Sequence, residues 1–122
     1  MTDPTTDLTT APSFAIEPTT DLTAAPTFAI EPIWLVEATY APDAAQTRTP
    51  FRAEHLAGIM RRRAAGVYVE AGAFVDVSAS VILVRTSDGA EAIAIVSDDV
   101  YMRNGVWVEV RARAFGLVTS SD

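Results

Sequence analysis

From residue 33 onward, the spacing of apolar residues switches between the period of a strand and that of a helix, and this order restricts the fold more than any other feature. Strand patterns cover IWLVEATY (33–40), VYVEAGAF (67–74), ASVILVRT (79–86) and VWVEVRARAF (106–115). A helix is predicted from Pro50, after Thr49 as N-cap, to Gly66, and a second covers GAEAIAIV (89–96). The order βαββαβ predicts an α+β, ferredoxin-like fold, with two helices on one face of a four-stranded antiparallel sheet.

The face of this sheet that the helices leave open is predicted to be apolar. Trp34 or Leu35 and the row VILV of the third strand contribute to it. The last strand alternates, with valines 106, 108 and 110 on one side and the charged residues Glu109, Arg111 and Arg113 on the other. An exposed apolar face of this size calls for a second subunit, so we expect a homodimer.

The N-terminal segment is a tandem duplication outside this pattern. PTTDLTTAPSFAIEP (4–18) returns as PTTDLTAAPTFAIEP (18–32), and the segment carries five acidic residues and no basic one. Because threonine, proline and aspartate dominate, residues 1–32 are predicted to be a disordered acidic tail. The alternative is that one FAI tripeptide docks on a sheet edge. The folded domain is expected over residues 33–118, followed by a short tail at 119–122.

Composition excludes several classes of function. The net charge is −7, and the tail accounts for most of it, which leaves no basic surface for nucleic acid. There is no apolar run long enough to cross a membrane and no signal peptide, so a cytoplasmic location is expected. With no cysteine and one histidine, we expect neither a metal site nor a cofactor. All nine basic residues are arginine, which is typical of a GC-rich bacterial genome.

The single histidine, His55 in FRAEHLAGIM (51–60), is the main candidate for chemistry. It shares a helix line with Phe51 and Ile59, which turns its ring toward the sheet. Histidine changes charge near neutral pH and can act as a general acid or base. The other interpretation is a histidine packed on a helix flank, with its ring bonded to backbone or water.

Several short patterns in order resemble the YciI-like family of small bacterial proteins, within the dimeric α+β barrel superfamily. They are the R-x-x-H of FRAEH, the A-G-x-F-x-D of AGAFVD, the apolar third strand and the D-D-x-Y-x-x-x-G-V of DDVYMRNGV. The resemblance implies a catalytic or ligand-binding pair of His55 and Asp76, with Arg52 as a substrate-binding candidate. The chain departs from the family at Val77, where glycine is frequent, and at Ala73 and Val100, where proline is common.

The spacing between His55 and Asp76 argues against direct contact unless the second strand is irregular. His55 lies about 16 Å back along its helix from Gly66, whereas Asp76 lies about 30 Å along the following strand. The pair therefore requires a bulge at Gly72, a sharply curved strand or a bridging ligand.

Other polar and aromatic residues have ordinary structural interpretations. The arginine run 61–63 suits the last turns of a helix, and Glu70 and Glu109 are expected to pair with Arg111 or Arg113. The aspartates 98 and 99 are predicted to cap a helical turn. Tyr101 and Trp107 are expected to be buried near the dimer interface, with stacking on a ligand as the alternative.

Three functions remain open. The first is a cofactor-independent lyase, isomerase or hydrolase in which His55 moves a proton on a small organic substrate and Asp76 orients it. The second is a non-catalytic dimeric module that binds a small ligand or a protein. The third, a heme-degrading or quinol-type monooxygenase, is disfavoured because no second histidine is present as a heme ligand.

Overall fold

The computed structural model describes residues 27–120. They form four strands, four α-helices and one 3-10 turn, in the following order: β1 (Phe28–Tyr40), α1 (Ala44–Thr47), the 3-10 turn (Thr49–Phe51), α2 (Arg52–Ala64), β2 (Tyr68–Ala73), β3 (Ala79–Val84), α3 (Gly89–Ser97), α4 (Val100–Arg103) and β4 (Trp107–Ser120). The strand order is β2-β3-β1-β4, and β3 pairs antiparallel with both β1 and β2. The predicted ferredoxin-like α+β fold is confirmed.

The described chain divides into two compact units. Residues 32–115 form the larger one. Residues 27–31 and 116–120 belong to the smaller one, in which the Thr119 hydroxyl donates to the Ala29 carbonyl at 3.3 Å. A Cβ on Gly116 would come within 2.8 Å of the Ile30 side chain, so this small unit is tightly packed.

The core of the larger unit lies between the sheet and the helices. Alternate residues of β1 and β3 are buried there, namely Val36, Ala38, Tyr40, Ile82 and Val84. Ala92 and Val96 of α3 and Tyr101 and Trp107 pack against them. The period of two in the strands thus directs one face of the sheet to the core.

Helix α2 begins later than predicted and ends where predicted. Thr49 lies in the 3-10 turn, and no side chain caps α2, which begins at Arg52. Gly66 follows the helix with φ of 78°, and the N–H of Val67 donates to the Arg62 carbonyl at 2.9 Å. This bonding is the Schellman end that a glycine in the left-handed region provides.

Three further predictions needed adjustment. β1 begins at Phe28 and β4 continues to Ser120, so both strands extend into segments predicted as tails. Residues 1–26 and 121–122 lie outside the described residues. The first repeat lies among them, so its interpretation stays a prediction. The valines predicted to share one side of the last strand are not placed alike, because Val106 is buried before β4 begins whereas Val108 in β4 is 55% exposed.

The hairpin turn between β2 and β3 contains an unusual backbone position. Val77 has φ of 59°, in the left-handed region that a β-branched residue rarely adopts. Glycine has no Cβ to clash in this conformation, which gives a physical reason for its frequency here in the resembling family.

Candidate active site

The His55 ring is bonded to Asp99 in the protein interior. Nδ1 lies 2.8 Å from Oδ1 and 2.9 Å from Oδ2 of Asp99. Both residues are buried, at 5% and 4% exposure. A carboxylate only accepts hydrogen bonds, so the proton of this bond belongs to Nδ1, and Nε2 is the ring nitrogen that remains for a ligand.

Aromatic side chains hold the His55 ring in place. The Tyr101 ring stacks on it at 3.7 Å between centroids with an interplanar angle of 8°. The Trp107 ring meets it edge-on at 5.3 Å and 90°. Because the ring has contacts on a face and on an edge as well as a bond at Nδ1, its orientation is strongly constrained.

Asp99 is positioned by the short helix that it begins. It is the N-cap of α4, and its Oδ1 accepts from the Tyr101 backbone N–H at 2.8 Å. The predicted capping role of Asp99 is therefore confirmed. The same turn places the Tyr101 ring two residues away, so one local structure supplies both the carboxylate and the stacking partner of His55.

A cavity of about 420 Å³ opens beside the pair. Its wall is apolar at Leu56, Ile59 and Met60 of α2, and it is polar at Tyr40, Ser80 and three arginines. The Ser80 hydroxyl donates to the Tyr40 hydroxyl at 3.1 Å. A cavity of this volume suits a small organic ligand.

Two buried polar atoms in the cavity lining have no partner among the described residues. They are the Tyr101 hydroxyl and the Trp107 indole Nε1. Burial raises the pKa of Tyr101, and nearby Tyr40 acts in the same direction, while the guanidinium groups of Arg52 and Arg48 lower it. An unpaired buried polar group costs about 1–3 kcal/mol, so these atoms favour a ligand or water that satisfies them.

Arg52, the predicted substrate-binding residue, lies at this cavity. It begins α2, is exposed to solvent, and lines the cavity with Arg48 and Arg63. Arg63 is bonded to Glu70 at 2.6 Å. Within the part of the chain that the structure describes, no acidic residue pairs with Arg48 or Arg52, and none lines the cavity.

Asp76 is not brought to His55. It is exposed in the turn between β2 and β3, where its Oδ1 accepts from the Ser78 backbone N–H at 3.0 Å. The irregularity in β2 lies between Tyr68 and Glu70 and not at Gly72. Asp99, and not Asp76, is the carboxylate partner of His55. A functional role for Asp76 stays a prediction.

Sequence reasoning assigned Asp99 only to a cap. The two residues of the pair are 44 positions apart, and neither helical nor strand periodicity relates them. One signal was available, because the D-D-x-Y pattern contains both Asp99 and Tyr101.

The other predicted polar residues form surface ion pairs. Arg62 contacts Asp98 at 3.2 Å. Arg111 reaches Glu109 at 4.0 Å along its own strand, and its partner across the sheet is Glu37 of β1 at 3.4 Å. Glu70 pairs with Arg63 of α2 and not across the sheet. Among residues 27–120 no group of three or more His, Asp or Glu side chains is arranged for a metal ion, and no helix there is long and apolar enough to span a bilayer.

Comparisons with known proteins agree with this architecture. The family model of the YCII-related domain matches residues 33–116. A comparison with curated proteins gave no match. A similar solved structure is 5-chloro-2-hydroxyhydroquinone dehydrochlorinase from Burkholderia phenoliruptrix AC1100, in complex with 2,5-dihydroxybenzoquinone. It shares 17% identity with a TM-score of 0.59, over 68% of this chain and 92% of that one. At this identity the likeness concerns the fold.

Proposed function

The chain belongs to the YCII-related domain family, and on that premise we propose that it is a cofactor-independent enzyme that moves a proton on a small organic substrate. The observation that carries the proposal is the buried His55–Asp99 pair beside the cavity. A histidine whose Nδ1 is held by a carboxylate presents Nε2 as a base in a defined tautomer.

In the proposed reaction, Nε2 of His55 removes a proton from a C–H or O–H group of the substrate. The electron pair left behind either expels a leaving group or shifts within the substrate, which corresponds to a lyase or an isomerase. Asp99 stabilises the imidazolium that forms and keeps its own charge. The proton then returns to product or solvent, so no redox partner is required.

The structural neighbour suggests a first group of substrates. Its name describes loss of hydrogen chloride from a chlorinated hydroxyhydroquinone, a reaction in which a base takes the proton and chloride leaves. Chlorinated and unsubstituted hydroquinones are therefore a reasonable screening set, together with hydrolysable esters for the hydrolase alternative.

The test is an activity screen with purified wild type and variants. We expect His55→Ala to abolish turnover of any responsive substrate. Asp99→Asn should lower kcat by about 10² to 10⁴, the range in which positioned acid–base groups contribute. Chloride release and ultraviolet absorbance follow the reaction.

The choice of asparagine keeps the experiment interpretable. Asn is also a good N-cap, so Asp99→Asn can retain the bond to the Tyr101 N–H while it removes the charge and replaces one carboxylate oxygen by an NH2 donor. Asp76→Asn is the matched variant, since its carboxylate caps a turn in the same way but is exposed. Equal turnover by wild type and His55→Ala across all responsive substrates would contradict the proposal, and a loss confined to Asp76→Asn would transfer the role to that residue.

The alternative function is a non-catalytic module that binds a small ligand. The unpaired Tyr101 hydroxyl and Trp107 N–H favour a bound ligand without requiring a reaction. If this alternative holds, a ligand binds with equal affinity to wild type and Asp99→Asn, and no substrate is consumed by either.

We also propose that the protein is a cytoplasmic homodimer. The sheet face opposite the helices carries partly exposed apolar residues from several strands, namely Leu35, Val81, Leu83 and Phe115. Leu35 contributes to this face, whereas Trp34 packs against the core. A second copy would remove these side chains from water.

A further inference from the structure

The cavity beside His55 has an excess of positive charge. Arg48 and Arg52 line it without acidic partners among residues 27–120, whereas Arg63 is paired with Glu70. The His55 ring is already matched to Asp99. Two uncompensated guanidinium groups facing one cavity favour a ligand that carries negative charge.

A second observation concerns two buried polar atoms beside the same cavity. The Trp107 indole N–H and the Tyr101 hydroxyl belong to two residues that line the cavity, and both atoms are buried without a partner within the described chain. Indole is a donor only, so it requires an acceptor. An oxygen-bearing ligand satisfies this atom, while an aliphatic one leaves it unpaired.

We propose that Arg48 and Arg52 form an oxyanion-binding subsite, so that the substrate is a small organic anion whose acidic group is a carboxylate or an acidic phenol. The inference rests on the proposed function and specifies its substrate class. The apolar side of the cavity, formed by Leu56, Ile59 and Met60 of α2, would contact the carbon skeleton. The guanidinium pair would bind the oxyanion, and His55 would face the remainder of the molecule.

The two arginines differ in what they contribute to the site. Arg48 lies before the 3-10 turn and is partly buried, whereas Arg52 begins α2 and is exposed. Both line the same cavity as Tyr101. The partly buried Arg48 is less screened by water and is expected to contribute more to anion binding.

The experiment compares benzoate with benzamide, which has nearly the same shape and no charge. Binding is measured by calorimetry and by the ¹H–¹⁵N signal of the Trp107 indole, assigned with Trp107→Phe because the chain has two tryptophans. Benzoate should shift this signal saturably and bind about tenfold or more tightly than benzamide. Its affinity should fall as salt is raised.

Arginine variants locate the subsite. Arg48→Gln and Arg52→Gln should each weaken benzoate binding about tenfold and leave benzamide unchanged, since Gln keeps an unbranched polar side chain but not the charge. Arg61→Gln is the matched control, because Arg61 is exposed on the same helix α2 and does not line this cavity. Circular dichroism checks that each variant is folded.

Three results would overturn the inference: no saturable benzoate binding at millimolar concentration, equal affinity for benzoate and benzamide, or benzoate affinity that both arginine variants retain. The salt dependence of the wild type tests the inference even if a variant does not fold. His55→Gln separates the subsite from the chemistry. If this variant binds benzoate normally and wild type lacks turnover, the subsite stands and the proposed reaction fails.

Discussion

His55 is held by contacts of three kinds: a hydrogen bond from Nδ1 to Asp99, stacking on Tyr101 and an edge contact with Trp107. Each contact fixes a different degree of freedom of the ring. The bond selects the tautomer, the stacking sets the ring plane, and the edge contact limits rotation within that plane. At the scale of single residues, this arrangement suits a base that must meet its substrate in one geometry.

Tyr68 provides a test of burial at the residue scale. Its hydroxyl is buried without a partner among the described residues, and burial raises the pKa of Tyr68 to about 12. Tyr68→Phe removes the unpaired hydroxyl and is expected to raise the free energy of unfolding at neutral pH by about 1 kcal/mol. Urea denaturation followed by circular dichroism measures the change.

The raised pKa of Tyr68 also predicts a pH dependence. The neutral phenol is retained in the folded state while the unfolded chain ionises, so wild-type stability is fully present below pH 10 and falls as the pH rises toward about 12. Because other groups titrate in this window, the quantity to compare is the difference in free energy of unfolding between wild type and Tyr68→Phe. Because only wild type loses this stability, its deficit relative to Tyr68→Phe should widen above pH 10 by roughly 2 to 3 kcal/mol. If the free energies of unfolding of the two proteins changed in parallel at all pH values, the assignment of the raised pKa to Tyr68 would be contradicted.

At the scale of elements, two helices end in the same way and each ending directs the next strand. Gly66 ends α2 before β2, and Gly105 ends α4 before β4, with φ of 78° and 72°. In both, the N–H two residues after the C-cap donates to a carbonyl in the last turn, as in Val106 to Tyr101 at 2.9 Å. The second ending brings Trp107 to the His55 ring.

Gly105→Ala is expected to lower the free energy of unfolding by about 1 kcal/mol, because a Cβ is strained at this positive φ although space is available for it. The matched control is Gly72→Ala in β2, where φ is ordinary and a Cβ meets nothing within 4 Å. Thermal unfolding of the two variants gives the comparison. A loss of stability in Gly72→Ala equal to that in Gly105→Ala would show that added volume, and not φ, is responsible.

At the scale of the whole molecule, the two faces of the sheet are unequal within residues 32–115. The face toward the helices contains the core and the His55 site, while Leu35, Val81 and Leu83 on the other face are only partly buried. The proposed homodimer would cover this second face, as the apolar composition of the strands suggests.

Leu83→Asp is expected to shift the protein from dimer to monomer, because a buried carboxylate without a partner opposes association. Light scattering after size exclusion measures the mass against the 13.0 kDa of one chain. Ala94→Asp is the control, since Ala94 is exposed on α3, on the other face of the sheet. A monomeric wild type at micromolar concentration would contradict the dimer.

The sequence by itself determined the order of the four strands and of helices α2 and α3, and the glycine that ends α2. These features depend on the period of the apolar residues, on the φ that glycine permits and on neighbours within a few residues. All three can be read from the order of residues in the chain. The extension of β1 to Phe28 was missed because Pro32 and the duplicated segment suggested a tail. Similarly, the different burial of Val106 and Val108 was missed, because Val106 lies before β4 begins and alternation holds only within a strand.

Only the tertiary structure decided the partner of His55. The sequence identified the histidine and its inward direction, but resemblance pointed to Asp76, and the fold brings Asp99 instead. Which carboxylate reaches His55 depends on how α4 lies against α2, and this contact joins residues more than 40 positions apart. Such packing is set by the volumes of side chains throughout the core, whereas capping and periodicity are local. The cavity, with two arginines that have no acidic partner among residues 27–120, arises from the same packing.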